Sequence, residues 1–131
     1  MAEPVYASPL VDKLGIKPGA RVAVINIDDA EFRGAIAERT HDITEGDPLP
    51  DSNLVFLGID DGTELEQLAF LRTRIVPNGA IWVISRKGKQ ATIRDIEVMA
   101  AAKAVGLVDN KVVAFSSTHT SIRLVIPLAL R

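Results

Sequence analysis

Three short segments of this chain are apolar at odd and even positions alike: Arg21–Ile27 (strand A), Leu54–Ile59 (strand B) and Ala80–Ser85 (strand C). A strand with one wet face alternates apolar and polar residues, because successive side chains point to opposite sides. A strand that does not alternate must bury both faces, which is the situation inside an α/β sheet with helices on either side. The segments between them carry helical spacing. Asp28-Asp29 can cap a helix over about Ala30 to Arg39, with Phe32, Ala35 and Ile36 as its apolar stripe and Gly34 as a weak point. Thr63 and Glu66 have the spacing of a capping box for a helix reaching about Ile75, on which Leu65, Leu68, Ala69, Arg72 and Ile75 recur. Thr92 and Asp95 open a further helix to about Val105. There Ile96, Met99 and Ala100 are expected to face inward, and Gly106 ends it.

The remaining punctuation completes the order. Ser8 to Gly15 reads as a short helix with Ser8 as cap, Pro9 in the first position, and Leu10 and Leu14 on one face. Ile16 to Gly19 and Pro77-Asn78-Gly79 read as turns, and Arg86-Lys87-Gly88-Lys89 as a basic loop. Thr40 to Ser52 is a long polar loop with room for one short extended piece. Lys111–Phe115 (strand D) and Ile122–Pro127 (strand E) are joined by the polar tip Ser116 to Ser121. So short a link makes an antiparallel hairpin, since a parallel crossover needs roughly a dozen residues. The expectation is one Rossmann-like α/β domain over residues 1–131, with a mostly parallel sheet of about five strands and a C-terminal antiparallel hairpin. There is no internal repeat, heptad or low-complexity tract.

Composition narrows the function classes. At 131 residues the chain holds one domain's worth of sequence. Lys and Arg number 15 against 17 Asp and Glu, a net charge of −2, which disfavours general nucleic-acid binding. Cys is absent, which excludes disulfides, thiolate metal sites and a Cys nucleophile. The start of the chain lacks a basic region followed by an apolar one, and no apolar run approaches the roughly 20 residues that span a bilayer. The expected location is the cytoplasm, with no membrane partner.

Leu14-Gly15-Ile16-Lys17-Pro18-Gly19-Ala20-Arg21-Val22 resembles the approach to the first strand of class I S-adenosylmethionine-dependent methyltransferases. Pro77-Asn78-Gly79-Ala80-Ile81-Trp82-Val83 resembles the glycine turn and strand near the middle of that fold. Gly106-Leu107 leading into a strand, polar turn and strand resembles its closing hairpin. The whole chain is similar to a family of small bacterial proteins of unknown function that look like truncated relatives of these enzymes. The resemblance implies the spatial order A-B-C-E-D. It also marks two departures. Cofactor-binding relatives carry a glycine-rich loop after the first strand, whereas Asn26-Ile27-Asp28-Asp29-Ala30-Glu31 holds none before Gly34. Their second strand ends in an acid that holds the ribose, and no clear second strand is legible here.

In an open α/β sheet, ligands bind beyond the carboxyl ends of the strands. The candidate ligand-binding residues are therefore Asn26, Asp28 and Asp29 after A, Asp60 and Asp61 after B, and Ser85, Arg86 and Lys87 after C. Four carboxylates could hold Mg²⁺ or Ca²⁺, but caps and turns are the ordinary use of short acids there, and no metal is expected. Arg86, Lys87, Lys89 and Arg94 could hold an anion or simply solvate a loop. His119 sits among hydroxyls in Ser116-Ser117-Thr118-His119-Thr120-Ser121, without the sharp strand-to-helix elbow that exposes a catalytic serine, so no catalytic residue is assigned. His41-Asp42 reads as a surface pair, and Trp82 as core with an indole N–H that needs an acceptor.

The functional expectation is a non-enzymatic methyltransferase-like module, regulatory or structural, without a cofactor. The alternative is a reduced S-adenosylmethionine-dependent methyltransferase or another nucleotide-binding enzyme. If A, B and C step in one direction, all crossover helices fall on one face. Strand A is then a bare edge and the second face is thinly covered, which leads to the expectation of a homodimer through strand A or that face. The competing arrangement sends the first helix to the other face and uses the long loop to return the chain to B.

Overall fold

The computed structural model describes residues 9–131, so the expected cap Ser8 lies outside them. Helix α1 (Leu10–Lys13) begins after Pro9 and closes at Gly15, which takes φ +76°. Strand β1 (Val22–Ile25) is strand A, followed by α2 (Ala30–Ala37). Strand β2 (Ile43–Glu45) lies inside the long polar loop. Strand β3 (Ser52–Gly58) is B, and β4 (Ile75–Arg86) contains C. A 3-10 turn (Gly62–Gln67) and α3 (Leu68–Arg72) link β3 to β4. Helix α4 (Asp95–Ala104) then leads to the hairpin of β5 (Val108–Ala114) and β6 (His119–Val125).

The sheet order is β2-β1-β3-β4-β6-β5. Strands β2, β1, β3 and β4 run parallel, while β6 is antiparallel to both β4 and β5. The order A-B-C-E-D is present, with one strand added. That addition corrects two expectations. A second strand exists, and strand A is not an edge, because Val22 to Val24 pair with Ile43 to Glu45. The chain moves from β1 one way to β2 and from β3 the other way to β4. Right-handed crossovers in opposite directions put α2 and α3 on opposite faces, so the thinly covered second face is also absent. Leu14, Phe32 and Ile36 pack on the face of Val22, Val24, Phe56, Trp82 and Ile84. Leu65, Leu68, Leu71, Val98 and Ala102 pack on the face of Ala23, Val55, Leu57, Ile81 and Val83. Each central strand thus feeds both cores, which is why its sequence shows no alternation. Phe32 meets Phe56 and Phe115 edge-on, with ring centroids 5.2 and 4.8 Å apart. The buried Trp82 finds its acceptor, as Nε1 donates to the Leu14 carbonyl at 3.1 Å.

Five local expectations fail, each for a physical reason. The capping box is displaced toward the N-terminus: Asp61 accepts the Thr63 N–H at 2.8 Å, and Glu64 accepts the N–H groups of Asp60 and Asp61 at 2.9 and 3.1 Å. The helix expected to reach Ile75 is a 3-10 turn plus five α-helical residues, and Ile75 already opens β4. Thr92 does not cap α4. Its hydroxyl donates to the Asp60 carbonyl instead, and Glu97 reaches back to the Arg94 N–H at 3.2 Å. On α4 the inward residues are Val98 and Ala102, whereas Ile96 is 62% exposed. The phase of that stripe is ambiguous in the sequence, because seven of the ten residues of the helix are apolar and they fall on every side of it. Finally, Pro77-Asn78-Gly79 is not a separate turn ahead of strand C but lies within β4. Ser52 pairs with Ile75 but Leu54 with Ala80, so the segment bulges out within β4.

Candidate ligand site

The topological switch point lies between β1 and β3, where the chain departs in opposite directions, and a cleft opens beyond their carboxyl ends. Its volume is about 270 Å³. Asn26, Ile27, Asp28 and Asp29 line it from β1, Gly58, Ile59 and Asp60 from β3, Ile84 and Arg86 from β4, and Phe115 and His119 from the hairpin.

Local geometry explains how those groups converge. Asn26 holds φ +56°, a left-handed conformation that Asn tolerates better than most residues. Its Nδ2 donates to the Gly58 carbonyl at 3.1 Å and ties the two strand ends together. A Cβ on Gly58 would lie 2.4 Å from the Asn26 carbonyl oxygen, so only glycine allows this approach. The glycine that the crevice needs is thus on the neighbouring strand, not in the turn after β1. Asp29 Oδ1 accepts the Phe32 N–H at 2.9 Å and caps α2, leaving Asp28 exposed at the rim. Asp60 faces Arg86 across 3.8 Å, an exposed pair worth less than about 1 kcal/mol. His119 is opposite Arg86 in the β4–β6 register, and the Thr118 hydroxyl lies 2.7 Å from its Nδ1, which orients the ring.

Five of the eight expected site residues therefore meet in one cleft: Asn26, Asp28, Asp29, Asp60 and Arg86. Asp61, Ser85 and Lys87 do not line it. Asp61 turns into the 3-10 cap, where hydrogen bonds from the Thr63 hydroxyl and N–H hold its carboxyl below the usual value. Ser85 is 3% exposed and pairs with Thr120, and the Lys87 N–H is bound to the Thr118 carbonyl at 3.0 Å. His119, expected at a solvated hairpin tip, joins the cleft instead. No local signal marks this: the short link pairs β6 with β5, and it is the separate pairing of β6 with β4 that sets His119 opposite Arg86. His41 is exposed, and Asp42 pairs with Arg21 at 3.0 Å rather than acting with it. Among the described residues no group of three His, Asp or Glu side chains is placed to hold a metal ion. No helix there is long and apolar enough to cross a membrane. The lining offers carboxylates, a guanidinium and an imidazole, but no hydroxyl or thiol.

A neighbouring groove of about 230 Å³ lies between β1 and β2, lined by Val24, Ile43 and Glu45 and by Arg33 and Ile36 of α2. Strand β2 ends in an acid, Glu45, which corrects the expectation that no such acid exists. Arg33 of α2 spans this groove: its Nε donates to the Ile27 carbonyl at 2.9 Å and its Nη1 pairs with Glu45.

A six-stranded sheet with this order, a switch-point crevice and a closing antiparallel hairpin has recognisable relatives. The profile of a family described as a protein of unknown function (DUF3052) matches residues 11–128. The chain belongs to that family. Solved structures share its fold at low identity. A SAM dependent methyltransferase from Aquifex aeolicus has a TM-score of 0.70 at 13% identity, covering 90% of this chain and 88% of that one. The magnesium protoporphyrin IX methyltransferase ChlM from Synechocystis PCC 6803, with bound SAM, has a TM-score of 0.67 at 9% identity, covering 90% and 74%. A TehB-like SAM-dependent methyltransferase from Corynebacterium glutamicum has a TM-score of 0.58 at 12% identity, covering 90% and 85%. No curated protein matches the sequence. The DUF3052 chain thus has the Rossmann-like methyltransferase fold, and its sheet carries that likeness through the antiparallel end.

Proposed function

We propose that this DUF3052 protein is a non-enzymatic, methyltransferase-like α/β module of regulatory or structural kind that does not hold S-adenosylmethionine. The observation that carries this reading is Arg33. It spans the ends of β1 and β2 and engages Glu45, the one acid that ends the second strand. The turn after β1 supports it. Between β1 and Gly34 there is no glycine, and Asn26 has its side chain committed to Gly58 rather than open to a ligand. The cleft itself lies at or below the lower end of small-molecule pockets, about 300 Å³. As they stand, these residues do not fit the cofactor.

One observation favours the second reading, a reduced methyltransferase or other nucleotide-binding enzyme: Glu45 stands at the end of β2, and the Arg33 pair that covers it is partly exposed, so it costs little to break. Calorimetry with S-adenosylmethionine and S-adenosylhomocysteine separates the two. No saturable heat is expected up to about 1 mM, the upper range of substrate constants for ordinary enzymes. Micromolar binding that is lost in Asp28→Ala and Asp60→Ala would overturn the proposal. Saturable binding that appears only in Arg33→Ala would identify the arginine as the group that closes the crevice.

A further inference from the structure

At the opposite end of the sheet, beneath the loop between α1 and β1, is a pocket of about 480 Å³. It lies at the amino ends of the parallel strands, where this fold class does not place its ligands. Lys17 and Gly19 line it from the loop, Asn53 from the start of β3, Asn78 and Gly79 from the β4 bulge, and Arg123 from β6. No carboxylate lines it.

Among the described residues, neither cation is paired with a carboxylate. The ion pairs there are Arg21–Asp42, Arg33–Glu45, Arg39–Asp12, Arg86–Asp60 and Arg94–Glu97, and neither Lys17 nor Arg123 takes part. Arg123 belongs to the aromatic face of the sheet, paired with Trp82 in register. Its polar contact is a 3.5 Å approach of Nη1 to the Asn110 Oδ1. Partial burial and the nearby positive charge of Arg131 push its guanidinium down from the usual value, as expected for a cation with no carboxylate paired to it among the described residues. The neutral donors are arranged to match. Asn53 Oδ1 accepts the Arg21 N–H at 2.8 Å, which fixes the amide and leaves its Nδ2 free to donate. The bulge beside it is close-packed, since a Cβ on Gly79 would sit 2.9 Å from the Asn53 carbonyl oxygen. The N–H groups of Gly19, Ala20 and Asn53 are already bound to the Arg39, Lys17 and Arg21 carbonyls.

We propose that this pocket is an oxyanion site: it binds a small molecule through a phosphate or carboxylate group, clamped between Lys17 and the Arg123 fork, with the Asn53 and Asn78 amides as neutral donors. The site is independent of whether the switch-point cleft holds a cofactor. Titration of the labelled full chain with sodium phosphate, and separately with sodium acetate, tests it by amide NMR against sodium chloride of equal ionic strength. Saturable shifts are expected at Gly15, Gly19 and Gly79, and the tighter of the two ions names the ligand group. Arg123→Gln should weaken binding at least about tenfold, the effect of losing a charged hydrogen bond. Lys17→Gln, on an exposed residue that leaves folding intact, should weaken it severalfold. Absence of saturable shifts with both ions overturns the proposal. So do shifts centred on Gly88 in the basic loop, or wild-type affinity in Lys17→Gln.

Discussion

The tripeptide Ile-Asp-Asp succeeds two strands of the sheet, as Ile27-Asp28-Asp29 after β1 and Ile59-Asp60-Asp61 after β3, and the chain leaves the two copies differently. In both, the first acid faces the cleft and the second caps the next helical turn. After β1 the cap accepts from three residues on and opens an α-helix of eight residues. After β3 it accepts from two residues on, Glu64 binds back on the preceding N–H groups, and the product is a tight 3-10 turn. The residues before each copy differ as well: Asn26 turns left-handed, while Gly58 lets Asn26 pass over it. An acid at this position therefore specifies that a helix starts, its neighbours specify which helix, and the direction of the crossover sets the face. Two opposed departures from adjacent strands are what create the crevice.

The sharpest way to break this pairing is to add one methyl group. Gly58→Ala sets a Cβ against the Asn26 carbonyl oxygen, a backbone atom that cannot swing aside. The expected loss is about 3 kcal/mol in urea denaturation, the upper range for overpacked sites. A loss near zero would mean that the two strand ends do not touch. Next in size is Asn26→Val. A β-branched residue at φ +56° should cost about 2 kcal/mol, and Asn26→Gly should be more stable than the valine variant by about 1–2 kcal/mol. Equal stability of the two would show that the turn after β1 is not held left-handed.

The same contrast separates features that are legible in the sequence from those that are not. Strands buried on both faces are legible, because their lack of alternation has one physical meaning. The hairpin is legible from its short link. Strand β2 is not, since Ile43-Thr44-Glu45 is three residues with one apolar side chain and owes its existence to an open edge on β1. The face that α2 covers depends on that strand and is hidden with it. The crevice acids stand out because the fold class puts ligands at carboxyl ends. Gly58 and His119 do not, because their roles come from a neighbour across the sheet, Asn26 and Arg86 respectively, at separations no local pattern records. The box at Asp61 and Glu64 is obscured by Thr63 and Glu66, which offer the same spacing two residues later.

A smaller effect tests the first cap alone. Asp29→Ala removes the acceptor for the Phe32 N–H and should cost about 1 kcal/mol, whereas Asp29→Asn keeps an acceptor and should cost less. If both variants lose the same amount, the carboxylate charge at the helix start outweighs the hydrogen bond.

The smallest effect belongs to the second cap and is visible only as a pH dependence. Asp61 is fully exposed, and its carboxyl is held below the ordinary value of 3.8, first by the Thr63 hydroxyl and then by the N–H groups of Thr63 and Glu64. A carboxyl with a lowered folded-state pKa binds protons more readily when unfolded. Its contribution is therefore present in full above the unfolded value and disappears as the pH falls through the folded one. Asp61→Asn keeps an acceptor at the cap but does not titrate. The wild-type chain should melt slightly above Asp61→Asn at about pH 6, and the gap should close as the pH falls below 3.8 toward about pH 2. The corresponding gap for Asp29→Asn provides the comparison in the same scans. A gap for Asp61→Asn that stays constant across the range would remove the charge from this cap and leave the two Ile-Asp-Asp turns distinguished by backbone geometry alone.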